Sequence, residues 1–358
     1  FFLVTTNLDT STSWSIIRSV QISETPKRYL SSHLAARSRL GNHMFEMASL
    51  LGMARTLNRT PLFFIEDESY AKMLAEVRMV IPGLVKQYLI VNGSVCVFLY
   101  IRVSVPSPTK TTFFTDRCCV YVNPKILSNN DDQYLHLSGI LLVLTFGLVH
   151  VSHSWKYFPE MRGELVGYVK KSNKISGFLP KSDIKTFVTC VHVRRGDFLL
   201  VGFAASDARF IKSALKFIEE KEGTENQNKA IVFFGDSIKF MEELSNDFLL
   251  FNGKTKKISH YISTNSPTDD LIYAKENCDT VLISGKHHHF LAPHSTFGWW
   301  IGYFSKYNKV YFMDIRATKD HVYREGKLHP HDYYMPYWKS LIFASDNITV
   351  IESNPKQK

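Results

Sequence analysis

The sequence predicts an α/β protein built around a parallel sheet, on three observations. The 358 residues are too many for one ordinary core and suit two domains. From residue 186 onward, short β-rich apolar runs alternate with segments whose apolar residues recur at helical spacing. The composition, 45% hydrophobic and 21% charged, is that of a soluble globular protein.

The second half of the chain carries the alternation. Strands are predicted over residues 187–193, 231–234, 258–262, 280–283 and 310–313, with helices over 210–218, 238–244, from 267–270 and over 295–303. Ligands bind beyond the carboxyl ends of the strands in parallel sheets of this kind. We therefore expect residues 192–197, 235–237 and 294–300 to lie along one edge.

The first half has a weaker pattern. Asn42 is a fair N-cap for a helix that ends before Pro61, ahead of a strand over residues 62–65. The apolar face of that helix consists of Met44, Met47, Ala48, Leu51 and Ala54. Beyond residue 68 the pattern decays until residues 154–158, with Pro106 and Pro108 marking a loop between.

The charge of the chain bears on its partners. The formal net charge is +10, yet the Lys and Arg residues are scattered, apart from short runs such as residues 254–257. Nucleic-acid-binding proteins usually carry basic blocks or stripes. We therefore expect an anionic small ligand or a merely basic surface, and no nucleic-acid partner.

Cysteine and histidine patterns give no support for a metal site. The five cysteines form no C-x-x-C pair, and their odd number leaves at least one thiol without a partner inside the chain. Three consecutive histidines at residues 287–289 cannot all face one ion, so we interpret them as part of a solvated loop.

Two features bear on the cellular compartment. Asn58, Asn92 and Asn347 each begin an N-x-[S/T] sequon, which is compatible with passage through the secretory pathway. The apolar run at residues 140–151 is shorter than the roughly 20 residues that span a bilayer, so we expect it to be buried core.

The segment His-Val-Arg-Arg-Gly-Asp at residues 192–197 is the most informative. Two arginines at a strand end present rigid forks that match phosphate geometry and stay charged. A nucleotide-sugar donor sheds a diphosphate, and arginines can stabilise that leaving charge where other enzymes use a metal. Taken alone, this pair is equally compatible with surface arginines that pair with carboxylates.

Two further segments follow strands. Ser-Thr-Phe-Gly-Trp-Trp at residues 295–300 places hydroxyls at a helix start, where backbone N–H groups form an anion seat. An ordinary helix cap is the alternative, and taken alone it is favoured. Gly-Asp-Ser at residues 235–237 could bind a base or ribose, although such a trio is more often a cap.

Together these segments resemble the α-1,2-fucosyltransferases, which form glycosyltransferase family 11 within the α-1,2/α-1,6/O-fucosyltransferase group. Arg-Leu-Gly-Asn-His-Met-Phe at residues 39–45, the arginine motif at 192–197 and the Ser-Thr motif at 295–300 are similar to three family motifs in the same order. Residues 154–158 resemble a segment of animal members. The likeness covers roughly residues 35–65 and 152–315.

The resemblance implies an architecture and a reaction. It implies a GT-B fold of two facing Rossmann-type domains, over residues 1–175 on the acceptor side and 176–358 on the donor side. It implies an inverting transfer of L-fucose from GDP-fucose to a hydroxyl, the 2-OH of a terminal galactose, of a glycan on a glycoprotein or glycolipid, with no metal or other cofactor. The enzyme would be a single-pass type II Golgi membrane protein whose anchor precedes Phe1.

The resemblance also implies roles in catalysis. Arg194 and Arg195 would hold the diphosphate, and His192 would shape the nucleotide pocket. The resemblance does not identify the general base. Asp197 is the candidate because it is close in sequence to the arginines, unless it pairs with one of them or the reaction needs little help from a base.

The remaining implied positions bind substrate. Asp236 would recognise guanine, and Ser295 and Thr296 would reach phosphate. Gly41 and Asn42 would line the cleft from the other domain.

Some stretches do not match the family, and they leave alternatives open. Residues 82–115, 138–152 and 285–294 are either lineage-specific loops or wrongly translated segments. The alternative functions are a protein O-fucosyltransferase, a transferase for another GDP-sugar, and a GDP-sugar-binding protein that has lost catalysis.

Overall fold

The described part of the chain folds around two sheets. The computed structural model describes residues 27–92, 111–115, 117, 119–138, 153–171, 178–196, 206–222, 227–251, 258–284, 295–317 and 321–353. Both sheets are dominated by parallel strands with helices between them, which confirms the predicted α/β fold class.

The first sheet, here the N-terminal sheet, has the strand order β3-β2-β1-β5-β4, and every pairing in it is parallel. Its strands are β1 (Tyr29–Ser32), β2 (Thr60–Ile65), β3 (Leu89–Asn92), β4 (Thr111–Phe113) and β5 (Tyr134–Ser138). β1 and β3 to β5 were not predicted from the sequence. β3 and β4 belong to the unmatched stretch 82–115, so part of that stretch is integral to the sheet.

The second sheet, the C-terminal sheet, has the order β12-β11-β10-β9-β6-β7-β8, and only the β11–β12 pairing is antiparallel among those described. Its strands are β6 (Thr186–Val193), β7 (Asn228–Gly235), β8 (Ile258–Ile262), β9 (Thr280–Ser284), β10 (Lys309–Met313), β11 (Lys339–Phe343) and β12 (Val350–Glu352). The predicted strands from 187 to 313 are all present.

Helices connect the strands. They are α1 (Leu40–Thr56), α2 (Glu68–Val80), α3 (Pro82–Val85), α4 (Arg162–Tyr168), α5 (Ala208–Glu222), α6 (Ile238–Phe251), α7 (Pro267–Asn277), α8 (Thr296–Phe304), α9 (His321–Arg324) and α10 (Pro330–Tyr333). The predicted face of α5 is buried as expected. Three 3₁₀ turns lie at Pro124–Leu127, Trp155–Tyr157 and Ile315–Ala317.

Helix α1 corrects two predictions. Asn42 is not the N-cap, because α1 already begins at Leu40 and Arg39 occupies the cap position. The helix is also not one-faced: Gly41 and all residues from 43 to 54 are buried. A helix buried on all sides lies inside the protein rather than on its surface. Pro61 likewise lies within β2, next to Leu30 of β1, rather than before the strand.

An aromatic block joins α1 to the C-terminal half. The Phe45 ring on α1 lies 4.4 Å from the Trp299 ring, 5.1 Å from that of Trp300 and 5.9 Å from that of Tyr333, measured between centroids. All four side chains are fully buried in one cluster that contains residues of both sheets. The two halves therefore share a core.

The C-terminal segment returns to the N-terminal half. The carboxylate of Asp332, on α10, pairs with Lys156 Nζ at 2.6 Å and accepts from the Tyr121 amide at 3.0 Å. Ser154 Oγ donates to the Asp332 carbonyl at 2.6 Å. The domain boundary near residue 175 stays a prediction.

Several predictions fall outside the described ranges: the apolar run 140–151, the loop with Pro106 and Pro108, and the histidines at 287–289. Within those ranges, no helix is both long and apolar enough to cross a membrane.

Candidate functional site

The site is built at the carboxyl end of β6, which lies between β7 and β9 in the C-terminal sheet. Side chains alternate between the two faces of a strand. Cys190 therefore shares one face with His192, and it forms a disulfide with Cys278 at the end of α7. The chain leaves the sheet after Val193, so Arg194 and Arg195 extend beyond its edge, as predicted.

Two buried serines fix the backbone of Arg194. Its amide donates to Ser206 Oγ at 2.9 Å, and its carbonyl accepts from the Ser206 amide at 3.0 Å. Ser206 Oγ in turn contacts the carbonyl of Ser284, at the end of β9, at 2.7 Å. Ser206 was not predicted as a site residue, because the sequence shows only that it precedes α5 and does not show that it contacts Arg194 and Ser284.

The Arg194 guanidinium forms an ion pair with the carboxylate of Asp236, which follows β7. Both groups are largely buried, with side chains 11% and 25% exposed. An arginine held by a carboxylate in fixed geometry keeps its remaining donors oriented.

Asp236 also holds the backbone of the arginine turn. Its Oδ1 accepts from the amides of Arg195 at 2.7 Å and Gly196 at 3.1 Å. A Cβ at residue 196 would lie 2.6 Å from Asp236 Oδ2, so the turn needs glycine there. Asp236 thus supports the arginine motif. Guanine recognition by this residue stays a prediction.

Arg195 is held over α6. The centre of its guanidinium lies 4.1 Å from the centroid of the Phe240 ring, a cation–π geometry. One guanidinium nitrogen donates to the Ser206 carbonyl at 2.7 Å. The residue is half-buried, so a pre-oriented cation faces solvent beside Arg194.

His192 is buried beneath the start of α8. A Cβ at Gly298 would lie 2.7 Å from His192 Nδ1, and the Phe297 ring lies 6.0 Å from the imidazole between centroids. Burial lowers the pKa of His192 to about 4, with Arg194 contributing in the same direction and Asp236 opposing it. The imidazole is therefore uncharged at neutral pH, and its role in the nucleotide pocket stays a prediction.

The structure brings Gly41 and Asn42 into direct contact with the start of α8. Thr296 Oγ1 donates to Asn42 Oδ1 at 2.6 Å, and Trp300 Nε1 donates to the Gly41 carbonyl at 2.9 Å. A Cβ at Gly41 would lie 2.5 Å from the Phe297 amide nitrogen, so only glycine allows this approach. Ser295 occupies the N-cap position of α8, but its side chain makes no capping hydrogen bond.

A hydrogen-bonded pair that was not predicted from the sequence lies beyond β8, the neighbour of β7 in the C-terminal sheet. Ser263 follows β8, and its hydroxyl donates to the carboxylate of Asp270 in the first turn of α7. Burial raises the pKa of Asp270 to about 7, with Asp269 adding to the effect. From the sequence, the two aspartates at this helix start are ordinary first-turn residues.

Asp197 lies outside the described residues, so its assignment as general base stays a prediction. Among the described residues, no group of three or more His, Cys, Asp or Glu side chains could hold a metal ion.

Comparisons with known proteins agree on one family. A family model described as glycosyl transferase family 11 matches residues 132–341. A Caenorhabditis elegans protein named putative galactoside 2-alpha-L-fucosyltransferase svh-11 is 46% identical over 331 residues, which cover 92% of this chain and 84% of that protein. Another, named galactoside 2-alpha-L-fucosyltransferase, is 30% identical over 328 residues, covering 84% and 74%.

A solved structure is also similar. It is a crystal structure of NodZ alpha-1,6-fucosyltransferase soaked with GDP-fucose, with a TM-score of 0.42 and 13% identity. The match covers 92% of this chain and 100% of that one.

Proposed function

We propose, since this chain belongs to glycosyl transferase family 11 and is therefore a glycosyltransferase, that it transfers L-fucose from GDP-fucose to a galactoside. The names of its relatives support the sugar and the acceptor class. The single structural observation that carries the proposal is the arginine pair at the end of β6, which Asp236, Ser206 and Phe240 hold in fixed positions.

The reaction proposed is a direct displacement that inverts the anomeric carbon. The 2-hydroxyl oxygen of a terminal galactose bonds to C1 of fucose and gives up its proton to a base, while the bond from C1 to the diphosphate oxygen breaks. The electron pair of that bond moves to GDP, and Arg194 and Arg195 neutralise the developing charge. Charges that are already oriented need no reorganisation during the reaction, which makes this form of stabilisation effective.

Thr296 and Ser295 are proposed as donors to the same diphosphate. They lie at the start of α8, where backbone N–H groups favour an anion. The Thr296 hydroxyl donates its single proton to Asn42 in this structure, so the hydroxyl must turn away from Asn42 to donate to the diphosphate. The arginines supply the positive charge, and we propose that no metal takes part in the chemistry.

The test is transfer from defined donors to a glycan array. We expect fucose from GDP-fucose to appear on terminal galactose, in a linkage that an α-1,2-specific fucosidase removes and that NMR shows as inverted. We expect EDTA to leave the rate unchanged and GDP-mannose to serve poorly. Transfer to folded protein domains instead of glycans would identify a protein O-fucosyltransferase. Binding of GDP without any product would contradict the proposal.

We also propose that the protein works in the Golgi lumen, tethered by an N-terminal membrane anchor. The disulfide between Cys190 and Cys278 supports an oxidising compartment. The sequon residues Asn58 and Asn347 are both exposed, and each lies in a turn with positive φ, at 51° and 53°.

N-glycosylation at these two positions tests that compartment. We expect the protein from animal cells to lose mass on treatment with peptide N-glycosidase F, and N347Q to lose about one glycan. Asn130→Gln is the matched control, since Asn130 is half-buried in a turn without a sequon. Protein that carries no glycan at either position and has Cys190 as a free thiol would contradict lumenal residence.

A further inference from the structure

Two histidines and a serine lie together at the carboxyl end of β1, in the middle of the N-terminal sheet. Ser31 of β1 and His136 of β5 are register partners, and Ser31 Oγ lies 2.8 Å from His136 Nδ1. The ring of His33, the first residue after β1, meets that of His136 edge to face at 4.4 Å between centroids. Ser31 and His136 are buried, whereas His33 is exposed.

The buried partners orient the exposed imidazole. The amide of His33 donates to the Leu137 carbonyl at 3.2 Å, so the residue remains in line with the sheet. Burial, reinforced by His33, lowers the pKa of His136 to about 4. His136 therefore stays uncharged and does not oppose a proton on its neighbour.

Glu46 on α1 fixes the loop that carries His33. Both carboxylate oxygens of this fully buried side chain accept from the Ala35 amide, at 3.1 and 2.9 Å. A functional group held by such buried contacts keeps its position better than one on a free loop.

This loop leads to the donor site. It enters α1, whose first turn contacts the start of α8 through Asn42 and Thr296. Phe297 of α8 in turn packs on His192 of β6. In α/β units the carboxyl end of a strand and the start of the helix that follows it lie on the same side of the sheet. The order of the elements therefore places His33 on the side of the N-terminal sheet where α1 meets α8, and α8 contacts the strand that ends at Arg194.

We propose that His33, in place of the sequence-based candidate Asp197, is the general base for the acceptor, an inference that rests on the proposed fucosyl transfer. As the acceptor oxygen bonds to C1 of fucose, its proton passes to a ring nitrogen of His33. The bond from C1 to the diphosphate breaks, and its electron pair leaves with GDP. Because His33 is exposed, the proton then passes to water. Histidine is the most frequent general base in enzymes.

The experiment compares H33A with wild type and with H331A, a control at an exposed histidine on α10. Three quantities are measured: transfer to phenyl β-D-galactoside, GDP affinity, and acceptor-independent hydrolysis of GDP-fucose. We expect H33A to lose about 10²- to 10⁴-fold in kcat for transfer. GDP affinity and hydrolysis should match wild type, and imidazole in the buffer should restore part of the transfer.

The outcomes separate the two proposals. Transfer by H33A within a few-fold of an active wild type would overturn the assignment of His33 and leave the transferase proposal standing. A parallel fall in GDP affinity and hydrolysis would also overturn it, because His33 would then support the donor site. A wild-type protein that transfers no fucose from GDP-fucose would overturn both proposals.

Discussion

Replacing Arg194 by alanine should lower kcat for fucosyl transfer by about 10²- to 10³-fold, the usual effect of removing one oriented donor to a developing anion. The loss should exceed that from a missing charge alone. Without its partner, the Asp236 carboxylate would face the diphosphate and repel it. Steady-state kinetics with GDP-fucose and a β-galactoside measure the effect.

Two further variants separate the charge from the fold. The double variant R194A/D236N should recover part of the loss of R194A, because the unpaired carboxylate is gone. R209A is the matched control: Arg209 lies at the start of α5 with a side chain 79% exposed, and it should retain wild-type turnover. A folded R194A protein with near-normal transfer would remove Arg194 from the proposed mechanism.

Phe45→Ala should lower the free energy of unfolding by about 3–5 kcal/mol, the range for truncating a fully buried aromatic side chain. The ring contacts Trp299, Trp300 and Tyr333, so the cavity would open where the two halves meet. Urea unfolding followed by tryptophan fluorescence measures the change.

The shared core also predicts how unfolding proceeds. Because one buried cluster contains residues of both sheets, neither half can unfold without exposing core residues of the other, and wild type and F45A should each unfold in a single transition. Phe113→Ala is the control: its side chain is 55% exposed, and the change should stay within about 0.5 kcal/mol. A loss below 1 kcal/mol in F45A would show that Phe45 contributes little to the shared core, and two separate transitions would show that the halves are independently stable.

Strands β6 to β10 and the helices between them could be predicted from the sequence, because most of these strands contain a continuous run of buried residues and a helix such as α5 has one continuous buried face. Val188 to Val193 form an unbroken buried run, and α5 shows a clear helical face. Most strands of the N-terminal half could not be predicted in this way, because β3 and β4 are only four and three residues long. Helix α1 was assigned one apolar face, since periodicity cannot show that a second layer covers the other side.

The position of the site could be predicted from the sequence, but the contacts among its residues could not. Strand ends placed Arg194, Arg195 and Asp236 on one edge, as the parallel sheet requires. Asp236 pairs with Arg194 across a sequence separation of 42 residues, and Asn42 accepts from Thr296 across a separation of 254. Local sequence patterns do not reveal such contacts. The disulfide of Cys190 with Cys278 spans 88 positions and has no local signal either.

The close approach of Gly41 to the backbone of Phe297 has a consequence for engineering acceptor specificity by recombination. A chimaera that takes its first half from one relative and its second half from another joins two helices that must fit without a side chain between them. Crossovers are therefore best chosen so that α1 and α8 come from the same parent. Diversity can then be introduced in the loop after β2, which lies outside the contact between α1 and α8.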